Sequence, residues 1–291
     1  MSSYRFCRTD DIGLLVDALN RCWLPYFPDQ GLETAATFKR SIRDLQVWCS
    51  SCMVAFSGSE PIGVLIGAKR PSGTLIHKIA VHPDHLRQGH ARHLLESLGS
   101  KLAILGPPRM VAEVPEALEP ACALFSACGY VEEAVLTDYV LTGGSMHSCR
   151  SAAIVQIEPT LLKATTSVTI PVTVDDLAAN DLLGNPAGCW RRSVETLTAK
   201  QDEVSGLAAV SDERFEAYVL YIKDEIVALW TLAPHSVERL EFLVWQLQQT
   251  GTRFRFPKVH PSEFSEQQLE TLGFRPTGSR HRLFAARARA A

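Results

Sequence analysis

Residues 80–98, AVHPDHLRQGHARHLLESL, change from an apolar strand to a helix within a few positions. The apolar run ends at Val81, a polar turn contains Gly89, and leucines then recur at helical spacing. The first N–H groups of a helix have no intrahelical acceptor, and they lie at the positive end of the helix dipole. Because glycine lets a ligand approach the backbone closely, this turn predicts an anion site made of main-chain donors.

The segments around this turn predict an α+β fold. Strand-like segments with short turns precede it, and a helix, a strand, a short helix and a long strand at 131–141 follow. The order appears again after the Gly- and Ser-rich stretch 142–151, which is typical of a linker. We therefore expect two domains, 1–145 and 146–291, each with a mixed, mainly antiparallel twisted sheet flanked by helices.

Bulk properties exclude several classes of protein. The chain has 291 residues and a net charge of −3, so no basic field indicates a nucleic-acid partner. No apolar run is long enough for a membrane span, and the first residues, MSSYRFCRTDD, lack the apolar core of a signal peptide. The expected location is therefore the cytoplasm, with no membrane partner.

The segment IAVHPDHLRQGHARHLL resembles motif A of the GNAT superfamily of N-acetyltransferases. Val81, Pro83, Gly89 and Ala91 match the family pattern Val-x-Pro-x-x-(Arg/Gln)-x-x-Gly-x-(Gly/Ala), and ALFSACGY resembles the later element that ends in Gly-Phe. The resemblance covers roughly residues 4–142. It implies that acetyl-CoA is the co-substrate, with its pyrophosphate on the turn and its pantetheine beside the strand that ends at Val81.

By the same resemblance, a set of mainly backbone positions would hold the cofactor: Ile79, Ala80, Val81, Leu86, Arg87, Gln88, Gly89, His90, Ala91 and Phe125. Two members depart from the family pattern. Leu86 stands where Arg or Gln is usual, and Phe125 replaces the tyrosine usually credited as the general acid for the CoA thiolate.

A general base is the more pressing need for catalysis. An amine with a pKa near 10.4 costs about 4–5 kcal/mol to deprotonate at pH 7, whereas a thiolate with a pKa near 8.5 costs about 2 kcal/mol. His77, which period two would place on one strand face with Ile79 and Val81, and Glu113 on the next strand are the two candidate bases. Each is also readily explained as an ordinary strand residue.

Other polar clusters favour structural interpretations. His82, His85, His90 and His93 crowd the turn, but no further ligand completes a zinc set, so solvated histidines at the helix start are expected. Cys49 and Cys52 form a Cys-x-x-Cys pair without a second pair, which favours buried thiols over a metal or redox site. The sequence predicts no metal site.

The second half resembles a degenerate copy. Its corresponding turn, residues 233–240, has no glycine, and Glu238 places a negative charge near the helix start. We expect it to give structural support, part of a substrate cleft or a homodimer contact. Arg191 and Arg192, after Trp190, are expected at the surface beside a packed helix start.

Three functions remain open from the sequence. The first is an acyltransferase that moves an acetyl group from acetyl-CoA to an amine of a small molecule or peptide, by direct attack in a ternary complex. The alternative is a non-catalytic CoA or acyl-CoA sensor or interaction module, which the changes at Phe125 and in the strand before the turn favour. A scaffold that binds no ligand is the third.

Overall fold

The computed structural model describes residues 2–142, 168–184, 189–211, 214–232 and 237–289. These residues form two compact units. The first contains residues up to Val135 together with the chain's end from His281, and the second contains Leu136–Arg280. The units differ from the expected domains 1–145 and 146–291 in two respects: the boundary lies between Val135 and Leu136, and the end of the chain belongs to the first unit. The predicted linker and Cys149 lie outside the described residues.

The first unit has helices on a mixed sheet, as the sequence predicts. Its strands are β1 Ser2–Phe6, β2 Met53–Ser57, β3 Glu60–Arg70, β4 Gly73–Val81 and β5 Arg109–Pro115, and its helices are α1 Ile12–Cys22, α2 Ala35–Leu45, α3 His90–Leu105 and α4 Glu119–Ala127. The strand β6 Val131–Leu141 begins in this unit. All strand pairs are antiparallel except β4–β5, and the last strand of the chain pairs with β5.

The second unit repeats this plan. Its elements are β7 Val168–Pro171, α5 Val174–Ala179, α6 Val194–Ala199, β8 Ser205–Ser211, β9 Arg214–Ile222, β10 Glu225–Thr231, α7 Val237–Gln249, β11 Phe254–Val259 and α8 Glu266–Thr271. The strand β12 Phe274–Arg287 begins in this unit and continues into the first from His281. Strands β7 to β10 pair in antiparallel order, β10–β11 is parallel, and the later part of β6 pairs antiparallel with β11. The α+β class and the mainly antiparallel sheet are confirmed.

Helix α3 has the packing that its leucine stripe predicts. Leu94, Leu95, Leu98 and Leu102 are buried in one apolar cluster with residues of β3, β4 and β5. The helix ends at Leu105, directly before the Gly-Pro-Pro segment that was expected to stop it. This packing fixes the start of α3 beside the end of β4, so the predicted anion turn is held on both sides.

After residue 142 the structure describes the chain again from Val168 onward. There β7 is followed by α5, which begins with a reciprocal cap between Thr173 and Asp176. Within the described residues, no helix combines the length and apolarity that a bilayer span requires.

Candidate functional site

The turn between β4 and α3 has two residues in the left-handed region of backbone space. Arg87 has φ of 61° and Gly89 has φ of 85°, and Gly89 directly precedes the helix. Such a turn directs successive N–H groups to one side, which makes a concave anion-binding nest. Within the described residues, the backbone N–H groups from Arg87 to Arg92 have no hydrogen-bond acceptor.

The nest is open at its centre. A β-carbon placed on Gly89 would have no heavy atom within 4 Å, so nothing in the described chain fills the space in front of this residue. Leu86 is 49% exposed and leaves the turn without a cationic side chain at its position. Most of the binding free energy for an anion would therefore come from convergent N–H donors. The helix dipole itself contributes only about 0.3–1 kcal/mol at an exposed site.

His90 behaves differently from the solvated histidine that the sequence predicts. It is buried, and its Nδ1 lies 2.7 Å from the hydroxyl of Tyr4 on β1, while its Nε2 lies 3.3 Å from Oε1 of Gln88. Burial lowers the pKa of His90, and the nearby His85 and His93 lower it further. The prediction for His90 is thus wrong, because the first turn of α3 packs its side chain against β1. This packing fixes the turn on its inner side.

Strand β4 carries a β-bulge at His77. Ile66 of β3 is opposite Lys78, and Gly67 is opposite Ile76, so His77 is an extra residue in the pairing. A bulge breaks the period-two alternation, so the argument that His77 shares a face with Ile79 fails. Ile76 and Ile79 both pack on the cluster beneath α3, although they are three positions apart.

Strand β10 of the second unit has a bulge like that of β4, and the burial of its residues shows to which side of the sheet such residues point. In β10, Val227 is the extra residue, and both Val227 and Ala228 are buried in one cluster, whereas Leu229 packs in the other. By the same geometry His77 and Lys78 lie on the face of the first sheet away from α3. Glu113 of β5 lies on that face as well, since its neighbours Ala112 and Val114 pack beneath α3 and α4.

Strands β4 and β5 separate soon after they pair. Their parallel pairing covers only Thr74–Met110 and Leu75–Val111. The outer backbone edge of β4 beyond Leu75 therefore has no strand partner in β5 over its remaining length. At the far end of this edge the carbonyl of Val81 accepts a hydrogen bond of 2.7 Å from the hydroxyl of Tyr26. The two strands thus part before the end of β4, which leads into the nest.

A half-buried ion pair lies next to the bulge, and the sequence analysis did not find it. Nζ of Lys78 is 3.1 Å from Oε2 of Glu33, with side-chain exposures of 19% and 15%. The same Nζ lies 5.5 Å from the ring centre of Trp23, which stacks on Phe27. Glu33 is 45 positions from Lys78, so no local signal joins them. The loop between α1 and α2 thus supplies aromatic and acidic groups to the face that carries His77.

The family comparison agrees with this geometry. Residues 14–130 match the model of the acetyltransferase (GNAT) family. These residues form a GNAT-family domain. The nest, the bulge and the diverging strands all fall within the matched region. Acyl transfer is the general kind of reaction of the family that this region matches.

Solved structures extend the likeness in fold to the whole chain. The tandem GNAT protein from the clavulanic acid biosynthesis pathway aligns over 100% of both chains with a TM-score of 0.61 at 15% identity. GCN5-related N-acetyltransferases from Sphaerobacter thermophilus and Anabaena variabilis align over 99% of this chain, and over 96% and 73% of their own. Their TM-scores are 0.62 and 0.64, each at 12% identity. The sequence matches no curated protein.

Phe125, at the position of the usual GNAT tyrosine, is buried in the core. Its ring centre lies 5.1 Å from that of Tyr130, edge to face, and 5.8 Å from that of Phe284, to which it is nearly parallel. Only 2% of the residue is exposed. The side chain has no proton to donate to a leaving thiolate.

The cysteine pair of the GNAT domain consists of buried, free thiols, as expected. The Cys52 Sγ lies 3.3 Å from the Trp48 carbonyl oxygen, and burial raises the pKa of Cys52 far above its ordinary value. Burial also raises the pKa of Cys7 to about 12. The thiols of Cys7 and Cys52 are therefore uncharged at neutral pH. Among the described residues, no group of three His, Cys, Asp or Glu side chains could hold a metal ion.

Proposed function

We propose that the first unit transfers an acetyl group from acetyl-CoA to the amine of a small molecule or peptide. The observation that carries the proposal is the open nest of N–H groups from Arg87 to Arg92, which have no acceptor among the described residues, at the end of a strand that pairs with β5 only at Thr74 and Leu75. Phosphate groups suit such a nest, because several convergent N–H donors and the helix dipole all favour negative charge.

The unpaired edge of β4 supplies the second part of cofactor binding. Backbone groups beyond Leu75 can pair with the amides of a pantetheine arm in the way that a neighbouring strand would. An N–H of this edge near Val81 would also polarise the thioester carbonyl. Loss of one such donor typically costs about 2.7–4 kcal/mol in the transition state. Tyr26 already occupies the carbonyl oxygen of Val81, so the pantetheine arm would use the groups before it.

The reaction is a direct displacement. The nitrogen lone pair of the amine attacks the thioester carbonyl, the C–N bond forms, and the C–S bond then breaks. The base accepts the proton that the amine loses. The thiolate leaves and is protonated in bulk solvent, to which the protonated base returns the amine's proton, because Phe125 has no proton to give. Since the thiolate is only about 2 kcal/mol unfavourable at pH 7, water suffices as the acid.

His77 and Glu113 are the proposed bases. Both lie on the sheet face away from α3, the face that also carries Lys78 and Glu33. The amine would approach from this face, while the cofactor phosphates lie at the start of α3. Replacement of the true base, by His77→Asn or Glu113→Gln, should lower kcat and remove the acidic limb of its pH profile while leaving acetyl-CoA affinity unchanged. Replacement of the other residue should leave that limb in place.

A matched pair of glycine variants tests the nest. Gly89→Asp places a carboxylate in the nest, whereas Gly251→Asp pays the same conformational cost at φ of 72°, also with open space around it, but in the second unit. We expect Gly89→Asp to raise the Kd for acetyl-CoA at least about tenfold, which is 1.4 kcal/mol. Gly251→Asp should leave it within about twofold. Equal effects of the two variants on calorimetric binding would refute the nest.

An activity assay on the natural protein separates catalysis from simple binding. The buried Phe125, which provides no acid, favours a non-catalytic CoA-binding module as the second candidate. A thiol-release assay across a panel of amines, amino acids and peptides decides between them. Release of coenzyme A that depends on the amine supports transfer. Tight acetyl-CoA binding without release from any amine supports the binding module.

A further inference from the structure

A cavity of about 540 Å³ lies within the second unit, between the end of β10, α7 and α8. Its size falls in the range of small-molecule sites, roughly 300–1,000 Å³. The walls include Leu229, Trp230, Leu240, Phe264, Thr271 and Leu272. The family comparison does not reach these residues, because its match ends at residue 130.

Strand geometry creates this cavity. The parallel pairing of β10 with β11 covers only Glu225–Arg255, so the rest of β10 diverges from β11. The bulge at Val227 then sends Leu229 to one side of the sheet and Trp230 to the other. The second unit has thus kept the divergence and the bulge of the first unit.

The walls of the cavity are built before any ligand arrives. Leu229, Leu240 and Leu272 are each at most 6% exposed, and they belong to one packed cluster. A β-carbon on Gly184 would come within 2.3 Å of the Trp230 ring, so the backbone lies directly against the indole. Helix α8 begins with a reciprocal cap between Ser265 and Gln268. A site with fixed walls loses little conformational entropy when it binds.

The lining offers no uncommitted charge among the described residues. Its one charged member is Glu263, whose two carboxylate oxygens each accept a hydrogen bond of 2.8 Å from the guanidinium of Arg192. The side chains of this pair are 5% and 1% exposed. A charged ligand would therefore lose its hydration without gaining a partner, which is costly in an apolar site.

The start of α7 is also unsuited to phosphate. Glu238 places negative charge in its first turn, and the neighbouring Arg239 is held 2.8 Å from Glu216. The bulge residues are Val227 and Ala228, where the first unit has His77 and Lys78, so this strand carries no base. The cavity can bind but has no group that could activate an amine.

We propose that this cavity is a second ligand site, which takes an uncharged, mainly apolar small molecule rather than coenzyme A. Leucine side chains form its floor, and Phe264 offers aromatic surface at its side. The site is independent of the acetyl-CoA nest.

The test uses the full chain and the neutral fluorescent probe N-phenyl-1-naphthylamine. Thr271→Trp adds an indole at an exposed wall position of the cavity, whereas Glu270→Trp adds the same group at the next exposed position of α8, outside the lining. We expect saturable binding with one probe per chain. Thr271→Trp should raise the Kd at least about tenfold, and Glu270→Trp should leave it within about twofold. Far-UV circular dichroism and melting temperature check that both variants fold.

Competition decides between the two kinds of site. Saturating acetyl-CoA or coenzyme A should leave the probe bound, in the natural protein and in Gly89→Asp. Trp230→Phe should keep the affinity while reducing energy transfer from protein to probe. Displacement of the probe by coenzyme A, unchanged affinity in Thr271→Trp, or no saturable binding would each overturn the proposal. None of these results depends on whether the nest binds acetyl-CoA.

Discussion

Replacing Arg192 with leucine removes the centre of a buried polar cluster in the second unit. The guanidinium makes two hydrogen bonds of 2.8 Å to Glu263 and one of 2.9 Å to the carbonyl of Lys258. It also lies 4.8 Å from the ring centre of Phe256. Arg192 is 1% exposed, so the expectation of a surface arginine is wrong at this position, whereas Arg191 beside it is exposed.

The magnitude follows from what the substitution leaves behind. Without Arg192, the carboxylate of Glu263 stays 5% exposed and loses the cation that balances it. Breaking a buried ion pair in this way costs about 3–5 kcal/mol, whereas replacing both partners with apolar residues is often close to neutral. The double variant Arg192→Leu/Glu263→Leu should therefore be less destabilised than either single variant.

Urea unfolding at pH 7, followed by tryptophan fluorescence and circular dichroism, measures these differences. Arg191→Leu is the matched control, and its free energy of unfolding should change by no more than about 0.5 kcal/mol. A loss below about 1 kcal/mol in Arg192→Leu would contradict the reasoning, because a buried carboxylate left without its cation should cost more than that. Additive losses in the double variant would contradict it as well.

Two further predictions concern the first unit. Burial lowers the pKa of His90, so the unfolded chain binds this proton more readily, and stability should fall as the pH drops through the ordinary histidine pKa of about 6.5. Melting temperatures should show a smaller acid-side fall in His90→Gln than in the natural protein, and His260→Gln, in the second unit, should keep the natural fall; equal slopes in all three would argue against this role. Phe125→Tyr places a hydroxyl between Tyr130 and Phe284, where it should cost about 1–3 kcal/mol of stability and leave thiol release unchanged. A faster release in that variant would show that the hydroxyl does reach the thioester.

The sequence predicts the architecture and the nest because the signals for both are local. The leucine stripe after Gly89 and the Gly-Pro-Pro stop define α3 closely, and alternating apolar residues define the strands. Unpaired N–H groups follow from any helix start, and a glycine at that point can be read directly from the chain. The repeat was visible for the same reason, as one order of local patterns occurs twice.

Only the tertiary structure decided which side chains meet. The bulge at His77 is set by pairing with β3, and it reverses the face that period two assigns. Lys78 meets Glu33, and His90 meets Tyr4, across 45 and 86 positions of the chain, so no periodicity could connect them. The end of the chain pairs with β5, and Arg192 is buried because Glu263 lies opposite it. Local patterns fix the faces and ends of elements, whereas burial and charge pairing depend on which elements pack together in space.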